Sequence, residues 1–371
     1  MFKKARIVVA PLDWGLGHAT RCIPVIHALL EADAEVVIAA DGAPMALLRQ
    51  EFPDLEHARL PGLPIRYGRG SSQLWSMARQ FPGMIRSIAA EKAEFERLMV
   101  RTRPNAVISD QRFGVRSTRL PSVLITHQLF PFTPVAQGLL RRSNRARIER
   151  FDRCWVMDDP EGPGLAGALS HGNGIPLNAR YIGIQSRMHG APASGREHRA
   201  LDVVVVVSGP EPQRSIFERK ALDQLLSIPG EHLLVQGLPG SSSADERGNV
   251  RIMSHLTGKE LACAMAHARL VVSRSGYTTL MDLAALGRSA LIVPTPGQPE
   301  QEYLAELHQA TGRFMVQRQD ELDILAAIGT DLSRSAPSST AAGKEMLAPA
   351  LLDLAELIDR SGRPATFGDH A

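Results

Sequence analysis

The sequence predicts an α/β protein built from two doubly wound, mostly parallel sheets, and three observations carry that prediction. Short apolar runs alternate with segments of helical periodicity from one end of the chain to the other. At 371 residues the chain exceeds the size at which a single core stops growing, so two domains are expected. A stretch rich in Gly, Pro and Ser, Ser170 to Ala200, separates two alternating series.

In order, ARIVVAP (Ala5 to Pro11) reads as a short buried strand, and ATRCIPVIHALLEA as a helix with Ile23, Ile26, Leu29 and Leu30 at helical spacing. The loop WGLGHATR (Trp14 to Arg21) joins them. EVVIAAD (Glu35 to Asp41) completes a βαβ unit whose crevice lies at the carboxyl ends of its strands. A helix and a short third strand follow around LLRQEFPDLEHARLP. Gln73 to Pro104 reads as helical with an interruption near Pro82, and Asn105 to Asp110 and Pro121 to His127 as two strands. Leu139 to Arg153 reads as a helix, and RCWVMDD ends this half. The second series has strands in LDVVVVV, HLLVQ, VRIM, RLVVS and ALIVP, with helices beginning near Glu211, Gly258, Ser275 and Glu300. LDVVVVVSG is too short to span a bilayer and reads as a central strand buried on both faces. A final helix, 341–360, precedes a polar tail expected to be disordered. The expected boundaries are 1–175, a linker over 176–200, a second domain over 201–340, the helix 341–360 and the tail 361–371.

Composition excludes several classes. With 44% hydrophobic and 22% charged residues the chain reads as an ordinary soluble protein. Cys22, Cys154 and Cys263 form no C-x-x-C pair and have no histidine at ligand spacing, which argues against a disulfide framework or a zinc site and for a cytoplasmic setting. The N-terminus lacks the pattern of a signal peptide, and no run reaches the ~20 apolar residues of a membrane span. The net charge of +3 is uneven, because residues 1–175 hold 23 Lys and Arg against 17 Asp and Glu. Arg141, Arg142, Arg145, Arg147, Arg150 and Arg153 crowd one stretch of that half. Two readings stand for it: a solvated helix face, or peripheral contact with an anionic membrane or acidic acceptor. Nucleic acid is not expected, since no recognition motif or aromatic interleaving accompanies the arginines.

The glycine loop invites comparison with a dinucleotide fingerprint, because Gly15 and Gly17 give G-x-G and Asp41 ends the second strand. Thr20 stands where the third glycine belongs, and His18 fills the space a pyrophosphate needs. That reading is set aside. The most specific segment is LVVSRSGYTTLMDLAALGRSALIVPTPGQPEQEYLAEL (Leu270 to Leu307). There a strand ends at Ser273 and an Arg-Ser-Gly turn opens a helix carrying Asp282; the next strand ends at Pro294 and a polar loop opens another helix. Two helix N-termini at one sheet edge form an expected anion site suited to a diphosphate, and Arg274 is expected to add a charge-assisted contact.

On this segment and the glycine-histidine loop the sequence resembles glycosyltransferase family 28, of the GT-B fold. The resemblance implies two Rossmann-like domains facing a cleft, the N-terminal one binding an acceptor and the C-terminal one a UDP-sugar. It also implies that the final helix crosses back to the first domain. Carried over by motif, the Arg-Ser-Gly turn falls on Arg274, Ser275 and Gly276. The ribose-gripping acid falls on Asp282, where glutamate is usual, and the paired glutamines fall on Gln301 and Glu302. VSGPEPQR takes the place of the family's glycine-rich loop, with Ser208 and Gly209 able to approach phosphate. Each has a plainer alternative: Asp282 as a solvated helix residue, Gln301 and Glu302 as first-turn residues, Arg274 as a structural partner.

His18 then reads as the base that takes the proton of an attacking hydroxyl in an inverting transfer, since an imidazole titrates near neutral pH. Gly15 and Gly17 would let the loop turn and leave room for the acceptor, and the competing role for His18 is a helix N-cap. His127 is a second candidate base, and Asp110 is expected to orient a base or acceptor or to cap a turn. No D-x-D motif stands where a sugar-nucleotide metal would be held, and the adjacent aspartates of MDDP lack that spacing. The expectation is therefore metal-independent chemistry with no cofactor beyond the UDP-sugar donor, at a cytoplasmic location that includes the inner membrane face. Two other functions stay open. GLGHATRC also resembles the loop of UDP-sugar hydrolases, in which the histidine serves water, and a silent nucleotide-sugar sensor would share the fold.

Overall fold

The computed structural model describes residues 1–62, 73–132, 137–189, 201–330 and 342–362, and the chain separates into two compact units. Of the described residues, the first unit takes 1–62, 77–185 and 342–362, and the second takes the rest.

The first unit runs β1 (Arg6–Pro11), α1 (Leu16–Glu31), β2 (Glu35–Ala40), α2 (Gly42–Glu51), β3 (Glu56–Arg59), α3 (Gln73–Thr102), β4 (Ala106–Asp110), β5 (Ser122–Thr126), α4 (Gln137–Ile148), β6 (Arg153–Val156) and β7 (Ala179–Tyr181). Its seven strands are all parallel in the order β3-β2-β1-β4-β5-β6-β7. A parallel sheet is covered on both faces, and its central strand β1 is accordingly an apolar run in which Ile7, Val8, Val9 and Ala10 are fully buried. Val8, Ala10, Val37 and Val107 pack with Phe95, Leu98 and Met99 of α3 in one core cluster. The strand order reverses between β1 and β4, where Pro11 lies opposite Asp110. Loops leaving such a switch point diverge to opposite faces and open a crevice at the carboxyl edge.

The second unit repeats the plan with β8 (Val203–Val206), α5 (Gln213–Leu225), β9 (His232–Val235), β10 (Ala244–Arg247), β11 (Val250–Met253), α6 (Gly258–His267), β12 (Leu270–Ser273), α7 (Tyr277–Ala285), β13 (Leu291–Ile292), α8 (Pro299–Ala310), β14 (Met315–Val316) and α9 (Ile324–Ile328). Its order is β10-β11-β9-β8-β12-β13-β14, parallel except for the edge hairpin β10-β11. The switch point falls between β8 and β12, which places the loops after Val206 and Ser273 side by side. Val203, Val205, Phe217, Leu234, Val272 and Leu291 fill its core.

The last helix, α10 (Ala342–Arg360), belongs to the first unit. Asp353 accepts a fork from Arg153 at 2.6 and 2.9 Å, Arg180 donates to the Pro349 carbonyl at 2.9 Å, and Gln185 donates to the Gly343 carbonyl at 2.8 Å.

Several expected boundaries move. Helix α1 begins at Leu16 and so includes His18, where the sequence suggested a loop up to that point. Helix α3 runs through Pro82 without a break in its backbone assignment. Helix α4 ends at Ile148, so Arg150 follows it and Arg153 opens β6 instead of joining the basic helix face. Strand β7 lies within the stretch read as linker. The unexpected β10 is exposed along all four residues, ADER, and therefore shows no apolar signal. The linker residues 190–200 and most of the tail, 363–371, lie outside the described residues.

Candidate functional site

At the first unit's switch point four polar side chains converge. Asp110, the last residue of β4, is fully buried, as is nearly all of Arg21 on α1. Arg21 grips the carboxylate with both sides of its fork: Nε donates to Oδ2 at 2.8 Å and Nη2 donates to Oδ1. Two histidines attach to this pair. His18 Nδ1 lies 3.0 Å from Asp110 Oδ2 and 2.9 Å from Arg21 Nη2, and His127, just past β5, sets Nδ1 2.9 Å from Arg21 Nη1. His18 and Arg21 are three apart on one helix face, which lets both reach the same carboxylate.

The electrostatics follow from this packing. Burial alone would raise the Asp110 carboxyl, but the charges of Arg21 and His18 and their hydrogen bonds outweigh it and hold the group at about 2. His18 moves below its ordinary 6.5, first through burial and then through the Arg21 charge, with Asp110 opposing. The imidazole is therefore neutral at pH 7, with one nitrogen against the buried carboxylate and its side chain still 20% exposed. That arrangement suits a base.

His18 is not a helix cap. The N-cap position is Gly15, whose φ of 155° and ψ of 169° disfavour any side chain, and no side chain caps that end. Gly17 lies within the first helical turn, so the turn expected of both glycines rests on Gly15. Two residues of this region were not singled out in the sequence. Arg21 is one, and its signal was the three-residue spacing from His18. Asp13 is the other: its Oδ1 is buried without a hydrogen-bond partner among the described residues, and burial raises its carboxyl against the pull of Arg112.

In the second unit the residues carried over by motif gather around the starts of α7 and α8. Gly276 is the N-cap of α7, and having no side chain it gives that helix start no side-chain cap. The N-terminus of α8 differs: Pro299 stands at its start, and Glu302 Oε1 accepts the Gly297 N–H at 2.8 Å. Its own acids already answer the dipole. Gln301 organises the same loop, accepting the Thr295 N–H at 2.9 Å and donating to Gln298 at 2.6 Å. Ser275 Oγ donates to the Gln301 carbonyl at 2.8 Å. Ser208 and Gly209 follow β8 in an open loop, where the Gly209 φ of 100° requires glycine.

Arg274 has a different setting from a diphosphate ligand. It is fully buried, donates to the carbonyls of Val293, Pro294 and Gln213 and to Gln319 Oε1 at 2.6 Å, and lies 4.2 Å above the Phe217 ring. Burial lowers its guanidinium to about 9. It staples strand ends together.

Asp282 is 7% exposed, not solvated, and its Oδ1 accepts the Ser186 hydroxyl at 2.5 Å. Burial raises its carboxyl while the charge of Arg187 pulls it back. Arg187 itself keeps Nε and Nη1 buried without a hydrogen-bond partner among the described residues, and its side chain packs 3.4 Å from the position a Cβ would take on Gly258, at the start of α6. A half-buried arginine with two buried, unused donor atoms is suited to an anion. The sequence hid it, because Arg187 lies in the stretch read as linker. Among the described residues no three His, Cys, Asp or Glu side chains converge as a metal-ligand set.

Comparison with known proteins agrees with this layout. Residues 241–358 match the family model described as glycosyltransferase family 28 C-terminal domain. A protein of Bradyrhizobium diazoefficiens named UDP-N-acetylglucosamine--N-acetylmuramyl-(pentapeptide) pyrophosphoryl-undecaprenol N-acetylglucosamine transferase is 33% identical over 293 residues, 72% of this chain and 77% of that protein. Its namesake from Nitrobacter hamburgensis is 28% identical over 295 residues, 72% and 76% of the two chains. In fold, the glycosyltransferase SnogD from Streptomyces nogalater superposes with a TM-score of 0.63 at 17% identity, over 96% of this chain and 99% of that one. With two Rossmann-like units of GT-B type and a relative 33% identical over 72% of the chain, the chain belongs to glycosyltransferase family 28.

Proposed function

We propose that the enzyme transfers a sugar from a UDP-sugar to the hydroxyl of an acceptor, with inversion and without a metal ion. The observation that carries this reading is the neutral His18 imidazole held against the ionised, buried Asp110. As the acceptor oxygen attacks the anomeric carbon, His18 Nε2 takes its proton, and Asp110 stabilises the imidazolium that forms. The bond to the leaving UDP breaks on the opposite side of that carbon, which inverts it.

The donor is assigned to the second unit, in keeping with its family match and with the UDP-N-acetylglucosamine in its relatives' names. Its diphosphate is assigned to the α7 N-terminus at Ser275 and Gly276 and to the loop Ser208–Gly209, with Arg187 supplying the charge first expected from Arg274. Asp282 takes the ribose, and Gln301 and Glu302 hold the loop beside the sugar. The acceptor is assigned to the first unit, by Gly15, Gly17, Asp110 and His127. The relatives' acceptor is lipid-linked by name, and exposed Leu139, Arg141 and Arg142 on α4 suit a peripheral contact with anionic lipid at the cytoplasmic face.

The test is a panel of UDP-sugars incubated with the full chain and membrane extract, with EDTA present. A glycosylated product with inverted configuration supports the reading. Free sugar as the only product would replace transferase by hydrolase, and activity restored only by added Mg²⁺ or Mn²⁺ would remove the metal-free mechanism.

A further inference from the structure

We propose that Arg21 is a positioning residue that gives the two histidines opposite tautomers, so that His18 presents a bare Nε2 and His127 an Nε2–H. The inference rests on the reading of His18 as the base and extends it to how that base is prepared.

The argument starts from which atoms are able to donate. Arg21 is an obligate donor, and Asp110, held ionised, is an obligate acceptor. Arg21 Nη1 points at His127 Nδ1 at 2.9 Å, so that nitrogen must be the bare one. The ring N–H of His127 then lies on Nε2. The Gln128 amide nitrogen lies 3.5 Å from that atom, and turning the amide over would present its oxygen to the Nε2–H.

His18 Nδ1 has two neighbours of opposite demand, Asp110 Oδ2 at 3.0 Å and Arg21 Nη2 at 2.9 Å. Nη2 already donates to Asp110 Oδ1 in the fork, whereas a bare Nδ1 would set its lone pair against a buried carboxylate. Protonated Nδ1 gives that carboxylate a third donor and removes the repulsion. The lone pair of His18 is then on Nε2. Arg21, directly on His127 and through the Asp110 it grips on His18, thus orients a proton donor and a proton acceptor, and its charge opposes protonation of His18. The groups facing His18 are Arg21 from α1, Asp110 from β4, His127 beyond β5, and Asp13 from the loop after β1, while Cys22 of α1 meets Asp110.

Imidazole ¹⁵N NMR of the ligand-free full chain reads the tautomers without any assay of turnover. His18 is expected to be protonated on Nδ1 and His127 on Nε2. Arg21→Gln should raise the His18 pKa, move the acid limb of kcat/KM to higher pH, and mix the tautomers of His127. Arg21→Lys keeps the charge but loses the fork, so the His18 pKa should stay low while the His127 tautomer relaxes. Where Arg21→Gln fails to fold, Arg21→Gln/Asp110→Asn removes the stranded charge and keeps the His127 readout. Identical tautomers on both rings in the native protein, or an unmoved His18 pKa in folded Arg21→Gln, would overturn the proposal. The expected tautomers in a protein whose His18→Ala variant turns over normally would leave Arg21 as positioned here and reject only His18 as base.

Discussion

His18 and Asp282 are both carboxylate or imidazole groups shifted by burial, and their partners decide what each is able to do. The His18 pKa lies below 6.5, so kcat/KM should rise with pH along an acid limb below that value and be flat through neutrality. A limb centred above 6.5 in a pH profile would mean that another group is the base. The stability sign runs the same way for both members of the pair. Below 6.5 the unfolded chain takes up a proton that folded His18 resists, and Asp110 contributes stability above 3.8 that is lost as pH falls through about 2. For Asp282, replacement by Ala removes the acceptor proposed for the ribose and leaves the Ser186 hydroxyl without its carboxylate. UDP affinity measured by calorimetry should weaken by about 1–3 kcal/mol; an unchanged dissociation constant would take Asp282 out of the site.

At the level of elements, the final helix gives the sharpest structural prediction. A Cβ on Gly343 would lie 2.1 Å from the Ile184 carbonyl oxygen, a backbone atom with little room to yield. Gly343→Ala should therefore loosen the start of α10 and cost about 1–3 kcal/mol in thermal unfolding. An unaltered melting temperature would show that this approach is not as close as described. What could be read from the sequence divides along physical lines. Central strands were legible because a parallel strand covered on both faces is a near-continuous apolar run, as in the IVVAP of β1 and the VVVV of β8. Polar β10 and the two-residue β14 were not, since neither carries an apolar period. His18 and Asp110 were legible as strand-end chemistry, and their meeting follows from the β1–β4 switch point. Arg21 required knowing that α1 begins at Leu16, which puts it on one face with His18. Arg274 looked like an anion ligand because charge is visible in a sequence, whereas burial among carbonyls is not.

The whole molecule joins two Rossmann-like units, and no helix among the described residues is long and apolar enough to cross a membrane. The proposed contact with lipid rests on α4, where Leu139 is 70% exposed beside Arg141 and Arg142. Sedimentation with anionic vesicles should weaken as salt rises and weaken further when Arg141 and Arg142 become Gln; absence of binding at low salt would favour a soluble acceptor. The central claim is that His18 performs chemistry on a donor held elsewhere in the chain. Single-turnover rates and UDP-sugar affinity measured on the same His18→Ala protein test it most directly. Turnover should fall by ~10² to 10⁴ with donor affinity nearly intact, whereas a folded variant with native turnover would contradict the account.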